Sequence, residues 1–272
     1  MRNREPCPER SRRDLAFHPL YTAAMNKVLL ITGASRGIGA VTAVQAAKRG
    51  YAICVNYRQN AQAAEKVVEQ IRSASGKAIA IPADVSQEPE VIKLFAAVDK
   101  AFGTLTALVN NAGYTEPQSR VESMDAQRLQ RVFATNITAS FLCAREAVKR
   151  MSTKHGGQGG AIVNVSSMAA QLGGPGEYVD YAAAKAAIDT MTIGLAKEVA
   201  AERIRVNAVR PGLIHTEFHA GGGDPTRVDR LKETVPMKRG GEPDEVAKAI
   251  LWLLSDEASY CTGTILNVSG GR

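Results

Sequence analysis

The stretch Val28-Leu29-Leu30-Ile31-Thr32-Gly33-Ala34-Ser35-Arg36-Gly37-Ile38-Gly39 decides how this chain is read. Its first four residues form a short, wholly apolar run, the pattern of a strand buried on both faces of a parallel sheet. A Gly-rich turn follows, then a helix-compatible stretch ending at Arg49-Gly50, where glycine is a good helix stop. Strand, Gly-rich turn and helix start are the context a dinucleotide-binding site requires. The glycines let backbone approach a pyrophosphate, whose charge the helix N-terminus favours. The spacing is Gly-x-x-x-Gly-x-Gly, not Gly-x-Gly-x-x-Gly. Tight turns use glycine in any case, so the reading depends on the rest of the chain.

The same rhythm repeats outward from this stretch. Ala52–Val55, Ala78–Ile81, Leu105–Val109, Ile162–Val165, Arg205–Val209 and Thr264–Val268 read as further strands. Between them, Ala61–Ser73, Val91–Phe102, Asp125–Met151, the segment carrying Tyr181, and Glu242–Leu254 read as helices. Strands separated by helices predict an α/β fold: one doubly wound, Rossmann-type parallel sheet of about seven strands with helices on both faces. No repeat or inter-domain linker interrupts residues 25–272, so they read as a single domain. Residues 1–24 carry five arginines and three prolines without apolar periodicity. They read as a disordered extension or a start-site artefact, with Met25 a plausible natural start.

Composition narrows the function classes. With 45% hydrophobic and 22% charged residues, the 272-residue chain is ordinary globular protein with enough length for a large core. Cys7, Cys54, Cys143 and Cys261 are scattered and form no Cys-x-x-Cys, which fits a reducing cytoplasm and neither a disulfide framework nor a zinc site. No run approaches the roughly eighteen apolar residues of a membrane span. The net charge of +7 raises nucleic acid as a partner, but the basic residues are interspersed with acids and only 5% of residues are aromatic. A solvated basic surface accounts for that pattern.

Further motifs lie where strands end. After the second strand, Asn56-Tyr57-Arg58 contains no acid of the kind that binds the ribose hydroxyls of NAD. Arg58 and Arg36 instead reach toward the corner where NADP carries its extra phosphate, which the planar guanidinium fork suits. NADP(H) is therefore the expected cofactor, with NAD(H) possible. Asp84, before Val85, either accepts from an adenine amino group or caps the helix beginning near Gln87. Asn110-Asn111-Ala112-Gly113 lies where a ligand crevice opens, and also makes an ordinary turn. Tyr181 and Lys185 are four apart, so on a helix they share a face. There the ammonium is expected to lower the phenol's pKa and tune it for proton transfer, although an amphipathic helix explains the pair as well.

Taken together these residues resemble a known family. Thr32-Gly33-x-x-x-Gly37-x-Gly39, Asn110-Asn111-Ala112-Gly113, Ser167, Tyr181-x-x-x-Lys185 and Arg210-Pro211-Gly212 are similar, in order, to the signature of the short-chain dehydrogenase/reductase family. The match spans residues 26–272 and looks like a bacterial sugar- or alcohol-dehydrogenase branch, close to glucose 1-dehydrogenase-like oxidoreductases. The resemblance implies Tyr181 as acid/base, Lys185 lowering its pKa and binding the nicotinamide ribose, and Ser167 holding the substrate oxygen. It implies Asn136 bending the long helix and anchoring a water. Gly33, Ser35, Arg36, Gly37, Ile38, Gly39, Asn56, Tyr57, Arg58, Asp84, Val85, Asn110, Ala112 and Gly113 would line the cofactor. Pro211, Gly212, Ile214 and Thr216 would border the nicotinamide, and relatives of this kind form dimers or tetramers.

Ser167 and Tyr181 are fourteen apart, one more than in many relatives, so Glu177 or Tyr178 is expected to face substrate. The Gly-rich stretch from His215 to Arg230 reads as a lid or as a merely floppy loop. No Cys or acid cluster completes a metal site around His215 and His219, and none is expected. The expected activity is NADP(H)-dependent hydride transfer between a secondary alcohol, possibly a sugar, and its carbonyl. An alternative is reduction of a 3-oxoacyl group on a carrier protein, with Arg128, Arg131, Arg145, Lys149 and Arg150 as a docking stripe. A non-catalytic NADP sensor is a remote alternative, because one fold hosts many functions. The absence of an acid after the second strand predicts tighter binding of NADPH than NADH. Dissociation constants that are equal, or that favour NADH, would refute this.

Overall fold

The computed structural model describes residues 27–272, and the expectations for residues 1–24, Cys7 and Met25 lie outside them. Seven strands form one parallel sheet: β1 (Val28–Ile31), β2 (Ala52–Tyr57), β3 (Ala78–Pro82), β4 (Ala107–Asn110), β5 (Gly160–Val165), β6 (Ile204–Pro211) and β7 (Ile265–Val268). Their spatial order is β3-β2-β1-β4-β5-β6-β7. The chain runs outward from β1 on one side, then returns to begin again at β4 on the other. That reversal places a crevice between the carboxyl ends of β1 and β4, the position where open α/β sheets bind ligands.

The helices are α1 (Gly37–Lys48), α2 (Ala61–Ser73), α3 (Glu88–Phe102), α4 (Ala126–Phe133), α5 (Ala139–Met151), α6 (Ala169–Leu172), α7 (Val179–Val199), α8 (Phe218–Gly221), α9 (Arg227–Leu231) and α10 (Pro243–Leu254). Successive strand residues point to opposite faces, so β1 feeds two cores. Leu29 and Ile31 pack with Val68 of α2 and Ile250 of α10, while Val28 and Leu30 pack with Phe95 of α3 and Cys143 of α5. Both faces of the sheet are therefore covered, which is why its strands are apolar runs rather than alternating patterns. Arg205 closes the end of α10 by donating to the carbonyls of Leu253, Leu254 and Ser255 at 2.7, 3.2 and 3.0 Å. A cation is favoured at a helix C-terminus.

Two expectations need correction. The helix predicted over Asp125–Met151 is broken: Asp125 caps α4 through a 2.7 Å bond from the Arg128 amide, and a π-turn at Ala134–Thr138 separates α4 from α5. Apolar spacing hardly changes across one widened turn, so periodicity alone reads straight through it. The proposed docking stripe is also not free. Arg128 pairs with Asp180, Arg131 with Glu116, Arg145 with Glu88, Lys149 with Glu146 and Arg150 with Asp99. Each cation faces a carboxylate, and four of those acids come from outside α4 and α5.

The Arg128–Asp180 pair is the deepest of these, with residue exposures of 8% and 3%. Arg128 Nε donates to Asp180 Oδ2 at 2.7 Å, and Nη1 reaches the carbonyl of Pro117 at 2.7 Å. The pair joins α4 to the first turn of α7, just before Tyr181. Arg128→Ala would leave a buried carboxylate uncompensated and is expected to lower stability by about 3–5 kcal/mol. Urea denaturation measures this, and a loss under about 1 kcal/mol, the range of an exposed pair, would contradict the assignment.

Candidate active site

The Gly-rich turn after β1 is held from both sides. Asn56, at the end of β2, accepts from the Gly33 amide at 3.2 Å while its amide donates to the carbonyl of Ala83 at 3.1 Å. Asn111 donates to the carbonyls of Thr32 and Gly33 at 2.9 and 3.0 Å. Thr32 Oγ1 in turn accepts from the Asn111 and Ala112 amides, both at 3.0 Å. A Cβ on Gly39 would stand 2.5 Å from Asn111 Nδ2 and 2.9 Å from Ala34 Cα, so glycine is required there by the protein itself. Gly33 needs a positive φ of 61° to make the turn. Asn56, expected at the cofactor, thus has its side chain committed to positioning the turn. α1 starts at Gly37 with no side-chain cap and no acid in its first turn, leaving its N–H groups free toward the crevice.

Arg36 and Arg58 both line this crevice, each beside an acid. Arg36 lies 3.5 Å from Glu217, and Arg58 lies 3.2 Å from Asp84. The first pair is exposed on both sides and the Arg58 side chain is exposed as well, so these contacts are weak. A phosphate group reaching this corner would compete with them readily, and the residues present fit NADP. Asp84 is not the helix cap expected as one alternative. Its Oδ1 accepts from the Ser86 amide and hydroxyl at 3.0 and 2.7 Å, a turn closed ahead of α3, whose capping position is Gln87. Val85 is buried.

The crevice continues past Asn111, Ala112 and Gly113 to Ser167, Tyr181, Lys185, Pro211, Gly212, Ile214 and Thr216, forming one cleft of about 870 Å³. Asn110 sits beneath it, donating to Asn164 Oδ1 at 2.9 Å and the Ser140 carbonyl at 3.3 Å. Lys185 is buried, and its ammonium donates to the carbonyl of Val165 at 2.8 Å. It lies 5.6 Å from the centre of the Tyr181 ring. Asn136 occupies the π-turn, where its amide donates to the carbonyls of Tyr114 and Val132 at 2.7 and 2.8 Å. Its carbonyl oxygen Oδ1 accepts from the Tyr114 amide at 3.2 Å, so the side chain ties the helix to the loop after β4.

The electrostatics differ from the sequence expectation. Burial pushes the Tyr181 phenol up to about 12, opposed by the neighbouring Ser167 hydroxyl, and Lys185 does not lower it. Burial also brings Lys185 down to about 8, opposed by Asp189. Desolvation is the largest cause for both groups. Asp189 is itself held by Arg210 at 2.8 Å.

Glu177 and Tyr178, expected to face substrate, line the cleft but are also tied to the segment after β6. Glu177 pairs with Arg227, Tyr178 Oη donates to the Gly222 carbonyl at 3.0 Å, and the Arg227 guanidinium lies 5.1 Å from the Tyr178 ring centre. That segment contains two short helices, α8 and α9. Phe218 of α8 brings its ring to 5.7 Å from that of Tyr181, and the His219 ring lies 3.1 Å from the Ile214 carbonyl. Sequence reading missed Tyr114, Phe218, Arg227 and Arg272 as cleft residues. Their presence results from chain return, and nothing in their spacing signals it.

Comparison with known proteins agrees with this geometry. The family model described as enoyl-(acyl carrier protein) reductase matches residues 33–272. An uncharacterized oxidoreductase of Escherichia coli, YgfF, is 58% identical over 90% of this chain and 99% of its own. A 3-oxoacyl-[acyl-carrier-protein] reductase of Staphylococcus epidermidis is 38% identical over 91% and 99%, and glucose 1-dehydrogenase 2 of Bacillus subtilis is 37% identical over 93% and 96%. A short-chain dehydrogenase/reductase of Serratia marcescens superposes with TM-score 0.83 at 31% identity, covering 90% of this chain and 97% of that one. The chain belongs to the short-chain dehydrogenase/reductase family. It is an NAD(P)-dependent oxidoreductase.

Lys185 supplies a stability test. Its folded pKa of about 8 lies below the ordinary lysine value of 10.5, so across that window the unfolded chain binds the extra proton. Unfolding free energy therefore rises with pH between about 8 and 10.5 on its account. Tyr181, raised from 10.0, contributes the opposite slope only above about 10. Lys185→Met should remove roughly 2 kcal/mol of the stability gained between about pH 7.5 and 9.5. Parallel urea curves for the two proteins at both pH values would count against the assignment.

Proposed function

We propose that this chain is an NADP(H)-dependent oxidoreductase that interconverts a secondary alcohol and its carbonyl. The observation that carries this reading is the meeting of Tyr181, Ser167 and Lys185 in the cleft that begins at the Gly-rich turn. The free N–H groups at the start of α1 suit a pyrophosphate, and Arg36 and Arg58 suit the additional phosphate of NADP. When bound there, the nicotinamide supplies or accepts the hydride.

The chain's own residues handle the oxygen. In reduction, Ser167 Oγ donates a hydrogen bond to the carbonyl oxygen and orients it. Tyr181 Oη then gives its proton to that oxygen as negative charge develops there. In oxidation the phenolate takes the proton back. The raised pKa keeps the phenol protonated near neutrality, so the acid needed for reduction is in place, while oxidation must wait for ionisation. Lys185 lies on the same helical face, its side-chain nitrogen 5.6 Å from the centre of the Tyr181 ring.

A second reading, 3-oxoacyl-carrier-protein reduction, is favoured by the activity named for the Staphylococcus relative. The carboxylate-paired residues along α4 and α5 weaken it, since they offer no free basic stripe to an acidic carrier. Phe141 on α5 and Ile193 on α7 are exposed apolar residues, and we assign that face to subunit pairing in a dimer or tetramer. The free cysteines Cys54, Cys143 and Cys261 accord with a cytoplasmic location.

Tyr181→Phe is expected to lower turnover by about 10²–10⁴-fold while NADPH binding is retained. In the wild-type enzyme, oxidation should accelerate with rising pH, whereas reduction should hold until the phenol ionises. Initial rates followed at the reduced-nicotinamide absorbance band measure both. Substantial turnover by Tyr181→Phe, or identical pH profiles in the two directions, would remove Tyr181 from its role.

A further inference from the structure

The wall of the cleft formed by α9 and the residues after β7 carries positive charge that the proton machinery does not use. Arg227 has a side chain only 13% exposed, and its Nη2 donates to Glu177 Oε2. Its buried Nη1 has no hydrogen-bond partner. Asp224 Oδ2 stands 3.9 Å from that atom, beyond hydrogen-bond reach, and is engaged by Arg230. Arg272 lines the same cleft, half-buried, and makes no ion pair among the described residues. Its charge is opposed by burial and by Arg227 and supported by Glu177, so the three groups lie close together. His219 adds no charge near neutral pH, because burial and Arg227 push its pKa below the ordinary value.

Three guanidinium groups, of Arg227, Arg230 and Arg272, therefore share two carboxylates, of Glu177 and Asp224, with one buried N–H left unmade. An unpartnered buried donor is costly, and nearby charges act strongly in a wall shielded from water. A planar carboxylate answers both conditions, since its two oxygens match the guanidinium fork. A neutral ketone, a neutral sugar or an acyl thioester would leave the N–H and the excess charge unsatisfied.

We infer that Arg227 and Arg272 form a carboxylate-recognition subsite, and that the substrates of this enzyme are oxo acids and the corresponding hydroxy acids. The inference rests on the oxidoreductase reading of Tyr181, Ser167 and Lys185. In reduction, the carbonyl carbon of the oxo acid receives hydride from the reduced nicotinamide coenzyme, which is oxidised. The carbonyl oxygen receives the Tyr181 proton, which solvent replaces, and the carboxylate at the other end of the molecule is unchanged. Sugar acids bearing a keto group fall within this class.

The test uses the full chain with NADPH and matched pairs of short oxo acids and their methyl esters, with neutral diketones and quinones as controls. The wild-type kcat/KM is expected to favour each acid over its ester by about tenfold to a hundredfold, the range for a hydrogen bond to a charged group. In Arg272→Gln and in the charge-conserving Arg227→Lys, that ratio should fall toward one, mainly through KM. Equal kcat/KM for acid and ester in the wild type would overturn the subsite, as would an unchanged ratio in both variants. Turnover of the neutral controls without turnover of any oxo acid would do the same. Ligand-observed NMR of the acids and esters with the NADPH-loaded protein separates this inference from the one beneath it. If no carbonyl compound turns over, the oxidoreductase reading fails, and acid-selective binding that is lost in Arg272→Gln still upholds the subsite. Binding that does not distinguish acid from ester overturns it.

Discussion

The ammonium of Lys185, buried in α7 and held 2.8 Å from the carbonyl of Val165, is the contact on which the site's arrangement depends. Removing a cation from water costs several kcal/mol unless polar groups replace the lost hydration. The carbonyl that does so belongs to the last residue of β5, two positions before Ser167. Ser166 returns the bond, its hydroxyl donating to the Lys185 carbonyl at 3.1 Å. α7 is thereby latched to the end of β5 in both directions. Tyr181, one turn earlier, comes to rest beside Ser167 as a consequence of that latch. The same burial sets the pKa values of the pair, and it is why the phenol is held as an acid in the absence of other charges.

The opposite end of the cleft depends on amides rather than charges. Asn56 and Asn111 reach from neighbouring strands and satisfy the backbone of the Gly-rich turn, so the turn is fixed before any ligand arrives. The asparagine at the π-turn works similarly, joining the widened helix to the backbone of Tyr114. These side chains do their work one layer behind the ligand surface. A rigid turn with free N–H groups loses little freedom when an anion docks, which favours binding.

A third region of the cleft lies where the loop before α7 meets α8 and α9. Glu177, Tyr178 and Arg227 cross-link these segments. Tyr181 on α7 and Arg227 on α9 thus stand on different elements.

Much of the fold was legible in local pattern. Apolar runs such as Val28–Ile31 mark strands because both faces of the sheet are covered, and Tyr181 and Lys185 share a face because a helix turns by a constant angle. Family resemblance implied a bend at Asn136, but the π-turn itself was not legible, since one widened turn barely disturbs apolar spacing. The charge partners were not legible at all. Arg36 finds Glu217 across 181 residues, Arg128 finds Asp180 across 52, and Arg227 finds Glu177 across 50. The sequence by itself determined the elements, the family and the residue types at the crevice, because those follow from short-range periodicity and motif. Only the tertiary structure decided which cations are neutralised, which pKa values move and which wall of the cleft keeps unspent positive charge. Coulomb and desolvation energies depend on distance and burial in space, and neither is a function of spacing along the chain.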